Sequence, residues 1–404
     1  MSPRPPGGNL WRLLAYRFLA ECFFIMPVLV PLFRSRGLSI TQIMIVESVF
    51  HVVSLAWEIP SGYFADVLGR RESLLVGALL IAAGLGVYAR SASFAGFCLA
   101  ETICGLGFAF KSGADSALLY DTLAAAGRED DYQAREGRLQ AVARLGTAVG
   151  SIAGGLLGLV TLRLPFVVNI GTGLVMALAA VGLVEPPRRR PSAAHPLRAI
   201  VRVAGACLGD PALRRLMALQ ALLQSTGVVG IWSYFLYYPR AGLSVAGAGA
   251  AFAAFQLASA LGGLCTARAR ARLGADGVLR LGLAIGLVFL ALARFTSAAL
   301  LPLILAAGLL WNLVTPILYE GVNLRTESSV RATVLSVMSM FGSLAYVVLA
   351  PSFGRVVDRG SLAAGHLLLA VLVLGVGGAL VVAVGVAGDL RADQRSRAST
   401  VDSR

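Results

Sequence analysis

Apolar side chains come in long runs along this chain, and polar side chains are confined mostly to short breaks between them. A helix rises about 1.5 Å per residue, so roughly 20 mainly apolar residues cross a bilayer core. By that rule the runs predict twelve spanning helices, near 11–33, 41–64, 73–90, 94–120, 138–160, 165–184, 213–237, 245–267, 278–296, 300–319, 331–351 and 362–386. Only helices or closed barrels satisfy the backbone in lipid, and runs this long are not the alternating segments of a barrel. The expected fold class is therefore an all-α polytopic membrane protein. The first run, Trp11 to Phe33, is too long for a signal-peptide core and lacks a small-residue cleavage site, so it is read as structure.

The longest interruption, EPPRRRPSAAHPLRAIVR, is rich in Pro and Arg and divides the runs six and six. It predicts a six-helix bundle over 1–184, a basic linker over 185–212, a second bundle over 213–386 and a tail over 387–404. The two halves echo each other. ALLYDTL (117–123) closes the fourth run as PILYEGV (316–322) closes the tenth, and Arg138 opens the fifth as Arg331 opens the eleventh. Internal repeats in membrane proteins point to transporters whose site lies between the repeats.

Composition agrees with lipid as the solvent. Only 14% of residues are charged against 57% hydrophobic, whereas soluble domains carry about 25% charged residues. The net charge of +14 is scattered between the apolar runs, which argues against nucleic acid and for an orientation signal that meets anionic membrane lipids. With the N-terminus inside, Arg residues favour one side about threefold. That side includes Arg4, Arg70, Arg71, Arg128, Arg188 to Arg190, Arg214, Arg215, Arg325 and Arg391. Both termini are expected in the cytoplasm and the chain in the inner (plasma) membrane. The five Cys lie mostly within apolar runs and the three His lie far apart. No metal motif, cofactor motif or nucleophile–base pair stands out, so neither a metal nor an enzyme is expected.

The break between the second and third runs, EIPSGYFADVLGRR (58–71), is similar to the loop signature of the major facilitator superfamily, G-x-x-x-D-x-x-G-R-[RK]. Gly62, Asp66, Gly69, Arg70 and Arg71 stand at the matching positions. The twelve runs and the six-plus-six repeat resemble the same family, whose fold is two pseudo-symmetric six-helix bundles. The resemblance implies a cytoplasmic latch made by this loop, with Asp121 at the end of the fourth helix joining it. Gly62 and Gly69 would allow close packing and a sharp reversal. The second-half counterpart, GGLCTARARARLG (262–274), has Ala267 where the Asp would stand, so an asymmetric latch is expected.

Two further signatures are partial. GRLQAVARLGTAVGSIAGG keeps Gly137, Gly146, Gly150, Gly154 and Gly155 of the fifth-helix motif associated with antiporters, but Ser151 replaces its Pro. LAETICGLGFA keeps Gly105, Gly107 and Ala109 of the fourth-helix motif, with Glu101 where the family has a proton-linked Arg and Cys104 in place of Gln. A carboxyl in a low-dielectric site can load and release protons near neutral pH, so Glu101 could take over that role.

Ionisable groups inside the membrane are costly and therefore candidates for function. Glu21, Glu47 and Glu101 compete for the proton site, and His51 lies one turn from Glu47. Lys111 and Asp115, four residues apart, are expected to neutralise each other, and Arg144 needs a carboxylate such as Asp115 or Asp121. In the second half Gln220, Gln224, Trp232, Tyr234, Gln256, Asn312 and Tyr319 are candidates to line the substrate cavity. The resulting expectation is a monomeric secondary transporter exporting an amphiphilic small molecule against protons. The alternatives are uptake of a sugar or organic acid by symport and, further off, a receptor that does not transport.

Overall fold

The computed structural model describes residues 8–186, 196–327, 330–388 and 390. Arg4, Arg188 to Arg190 and the tail from 391, which carry part of the predicted charge asymmetry, lie outside these residues, as do the side chains of 196–200.

Among the described residues all regular structure is helical. The first pass is α1 (Asn9–Glu21) and α2 (Met26–Ser35), followed by α3 (Ile40–Val67) and α4 (Arg70–Arg90). The fourth is α5 (Phe94–Lys111) and α6 (Ala114–Ala124), then come α7 (Tyr132–Val160) and α8 (Leu164–Val181). A linker helix, α9 (Pro196–Gly209), leads to α10 (Pro211–Arg240) and α11 (Val245–Gly282). The rest are α12 (Ala284–Arg294), α13 (Leu301–Leu324), α14 (Arg331–Arg359), α15 (Leu362–Val371) and α16 (Gly378–Ala387), the last two joined by a π-helical turn.

Among the described residues eleven apolar helical segments are long enough to span, and one of them, 245–294, is long enough for two passes. The 38 residues of α11 would run about 57 Å if straight, nearly twice a hydrocarbon core. Gly274 breaks it, at φ 69° and ψ 170°. Before the break Gly262 abuts Leu309 and Arg270 reaches Glu320; after it Gly282 returns to Val314. The chain reverses at Gly274, which gives the twelve passes of two pseudo-symmetric six-helix bundles.

Two other passes are not continuous. The first is interrupted over Cys22–Ile25, and the fourth turns at Gly113 with φ 74°. In lipid an interrupted helix needs partners for its freed backbone groups. Asn169 of α8 supplies them: its Oδ1 accepts from Ile25 N at 3.2 Å and its Nδ2 donates to Cys22 O at 2.7 Å. The other side of the break lies on the glycines of α7. A methyl at Gly146 would sit 2.5 Å from Phe18 O, at Gly150 2.8 Å from Phe23 N, and at Gly154 2.0 Å from Phe24 O. Nothing larger than hydrogen fits there. Asn9 then ties the same face of the first, fourth and sixth passes, donating to Thr122 Oγ1 and Val184 O and accepting from Val184 N.

The face bearing Arg70, Arg71, α9 and Arg325 is called the basic face. At the opposite face the bundles close. Asp358 at the end of α14 accepts from Ile40 N (2.9 Å), Thr41 N (2.8 Å) and Thr41 Oγ1 (2.7 Å), capping α3 across the bundle boundary. Gly354 lies directly on the Thr41 backbone, and Gly155 and Gly249 bring α7 and α11 together. Toward the basic face α3 and α14 instead border a cleft of about 140 Å³, lined by Ser54, Leu55, Glu58, Ser339, Met340 and Ser343 among others.

The seat of the broken helix is the point of least tolerance. Gly154→Ala is expected to lower the yield of folded protein sharply. Asn169→Leu should destabilise by about 1–3 kcal/mol for each backbone group left unpaired. Gly171→Ala, whose site is open space, should be neutral or stabilising by up to about 1 kcal/mol. Thermal unfolding in one detergent compares all three.

Candidate functional site

The interrupted segment opens onto a cavity of about 220 Å³ between the bundles. Phe23, Ile25 and Met26 form one wall, Glu47, Phe50 and His51 of α3 another, and Tyr88, Glu101, Cys104 and Phe108 of α4 and α5 a third. Val228 and Trp232 of α10 close it from the second bundle. The close approach of α4 to α5 needs Gly77 and Gly107, where a methyl would meet the facing backbone at 2.8 Å.

Two carboxyls sit in this largely aromatic space. Glu101 is 6% exposed and accepts a hydrogen bond from the Tyr88 hydroxyl. Glu47 is equally buried, and its Oε1 has no hydrogen-bond partner. His51, one turn along α3, lies against Tyr346 of α14 with ring centroids 4.3 Å apart. No Lys or Arg is among the lining residues. Two acids without a cation in a cavity of low polarity cannot both carry charge cheaply. Glu47, His51 and Glu101 are thus brought together, and Glu21 is elsewhere.

Glu21 belongs to a second, polar cavity of about 310 Å³ nearer the basic face, with Arg17, Lys111, Asp115, Gln140 and Arg144. Here the expected Lys111–Asp115 pair does not form. The turn at Gly113 separates the two residues, so they are not successive rungs of one helix. Lys111, 3% exposed, pairs instead with Glu21 at 3.0 Å, and Asp115 pairs with Arg17, which also lies 3.8 Å from Glu136. Arg144 forms no ion pair with any described carboxylate, contrary to the requirement read from the sequence. It is exposed at the cavity edge, where water can solvate it.

At the 58–71 signature, α3 continues to Val67, so Gly62 and Asp66 are helical rather than in a loop. Gly69 makes the reversal at φ 144°, whereas Gly62 faces open space and packs against nothing. Arg70 pairs with Asp121 and also donates to Ala117 O; its backbone N–H and that of Arg71 donate to Glu185. Asp66 is exposed and makes no hydrogen bond or ion pair with a described residue. Arg270 pairs with Glu320 in the second bundle, repeating the Arg70–Asp121 arrangement. That pair was not anticipated, although ILYE against LLYD marked it.

Of the seven second-half candidates, only Trp232 borders the central cavity. Gln220 is buried with Oε1 unpaired, Gln224 packs on Gly342, and Tyr234 sits between Phe255 and Phe289. Asn312 donates to Ser259 at 2.5 Å, Tyr319 packs in the core near the basic face, and Gln256 is half-buried on α11. The sequence reading missed Tyr88, Tyr346 and Phe108. Tyr88 was findable only by folding the third and fourth runs about the Ser91–Ser93 turn, which sets it beside Glu101.

Several solved structures that superpose on this chain are of transporters. A variant of the nucleoside transporter NupG superposes with a TM-score of 0.81 at 14% identity, covering 92% of this chain and 98% of that one. A bacterial homolog of the human lysosomal transporter Spinster, inward-facing and occupied, gives 0.71 at 17%, over 95% and 98%. A POT family transporter in complex with 5-aminolevulinic acid gives 0.72 at 14%, over 94% and 96%. No curated protein sequence matches. The profile of the Major Facilitator Superfamily matches residues 18–350, and the chain belongs to that superfamily.

Proposed function

We propose that this transporter exports an amphiphilic small molecule in exchange for protons by alternating access, with the basic face in the cytoplasm. One observation carries the reading: Glu47 and Glu101 share an aromatic cavity between the bundles that has no Lys or Arg in its wall. Such a wall suits a neutral or positively charged substrate with a hydrophobic body. It disfavours an anionic organic acid by charge, and its mostly aromatic lining offers a sugar few hydroxyl partners.

Protons and substrate would compete for the carboxyl pair. With the outer face closed, a substrate from the cytoplasm meets the pair, and protons that enter from outside later displace it. The halves would rock about the cavity as the Asp358 cap on α3 opens and the Arg70–Asp121 and Arg270–Glu320 ends engage their opposite bundles. Asp66, exposed and unpaired in this closed-outside state, is then free to engage when the basic face shuts.

Three outcomes follow. In proteoliposomes with an imposed pH gradient, Glu101→Gln should cut proton-driven substrate flux by about tenfold or more, which corresponds to about 1.4 kcal/mol. Substrate exchange without a gradient should persist; a variant with unchanged proton-driven flux sinks the role assigned to Glu101. Asp358→Ala removes three bonds of about 1 kcal/mol each and should raise the outward-open population. Spin labels at Arg90 and Ser297 would report that as a longer distance across the opposite face. Asp66→Asn should slow turnover with substrate affinity nearly intact, and a selective loss of binding would relocate the substrate site to that end of α3.

A further inference from the structure

One ring stands between the central cavity and both compartments on the basic side. Phe108 borders the central cavity, the polar cavity around Lys111, and the cleft between α3 and α14. His51 borders only the first and the last of these. The Phe108 ring meets Phe50 edge to face at 5.3 Å. The Lys111 ammonium lies over the ring face, 4.4 Å from the centroid. Lys111 is in turn held by Glu21 at 3.0 Å and is almost wholly buried.

We propose that Phe108 is the inner valve of the transport path and that Glu21, through Lys111, is the positioning residue that holds it shut. The arrangement has the parts a valve needs. An aromatic ring is large enough to close a narrow passage, and one χ1 rotation clears it. A buried ammonium over the ring face favours the closed rotamer through cation–π attraction. The ammonium cannot drift, because Glu21 fixes it from the first helix at the edge of the Cys22–Ile25 interruption. With the ring in place, water in the polar cavity and the cleft is kept from Glu47 and Glu101. When it swings, the two sides join and a substrate can pass. Glu21 therefore acts on gating rather than as a third site competing with Glu47 and Glu101 for the transported proton.

The test reads access directly and needs neither a known substrate nor proton coupling, so it can fail while the proposed function stands, or hold if that function fails. A single cysteine replaces Val228 in the central cavity, with the five native cysteines substituted. The purified protein is treated with a small cationic methanethiosulfonate and its labelling rate followed by mass spectrometry. Phe108→Ala should raise the rate about tenfold or more, by analogy with removal of an interaction of 1.4 kcal/mol, whereas Phe108→Tyr should leave it within twofold. Lys111→Met and Glu21→Gln should each give an intermediate rise, and Lys111→Arg should restore the closed rate. A parallel reporter at Leu38, buried at the opposite face, should not change. An unchanged rate in Phe108→Ala, or an equal rise at Leu38, overturns the valve. A rise in Phe108→Ala with no effect from Lys111→Met or Glu21→Gln overturns the assignment of Glu21.

Discussion

The interruption of the first helix over Cys22–Ile25 is the constraint around which the first bundle is arranged. A spanning helix satisfies its own backbone; a broken one must borrow partners from its neighbours, at a cost of several kcal/mol per group left without one. Asn169 of α8 supplies a donor and an acceptor, and the glycines of α7 let that helix approach the exposed backbone until carbonyl and Cα touch. The same α7 uses Gly155 to receive Val245 and Ala246 of the second bundle, and Gly158 lies between Val28 of α2 and Val245. One stripe of small residues thus seats the broken helix, and its neighbour forms a bundle contact. The cavity wall made by Phe23, Ile25 and Met26 depends on both.

Charge is sorted along the path by the same logic. Toward the basic face four cations are paired with acids: Arg17 with Asp115, Lys111 with Glu21, Arg70 with Asp121 and Arg270 with Glu320. Taking one partner from a buried pair is costly, because the remaining charge stays in a poor solvent. In the central cavity the acids have no basic partner of their own, only the Tyr88 hydroxyl for Glu101. The unpaired acids are the ones in position to exchange partners with something that comes and goes. The paired charges hold helices in place.

The sequence makes the passes legible because lipid sets a length and a polarity that few other environments demand. The helix count followed from that, the Pro- and Arg-rich break suggested the six-plus-six division, and the glycine spacing in 137–155 fell on a face where α7 meets the first helix closely. Errors arose where a continuous helix was assumed. Lys111 and Asp115 look like partners only if α5 and α6 are one helix, and Gly113, a residue tolerant of φ 74°, was the overlooked sign of the turn. Gly62 matched a family motif, yet it faces open space, since a motif position does not say which neighbour a residue meets. The second-half candidates failed for a similar reason. Polarity in an apolar run marks a residue that needs a partner, and for Asn312 that partner is Ser259 in the protein rather than a ligand.

The two ends of the path are closed by different physics. At the opposite face Asp358 binds two backbone N–H groups and a hydroxyl at the start of α3, a cap that combines hydrogen bonds with the positive end of a helix. It is strong only at close range, so a small rotation of one bundle against the other breaks all three bonds together. Near the basic face the proposed valve is one aromatic ring, Phe108, which borders all three compartments, with His51 beside it between the cavity and the cleft. A large motion tied to a brittle polar contact and a small motion tied to a pliable apolar one give the path two barriers of unequal kind. Because the carboxyl pair lies between them, a cargo held by Glu47 and Glu101, as proposed, would be sheltered from one side while the other opens. Under the proposed exchange, that shelter is what would keep one cargo from leaking as the other is taken up.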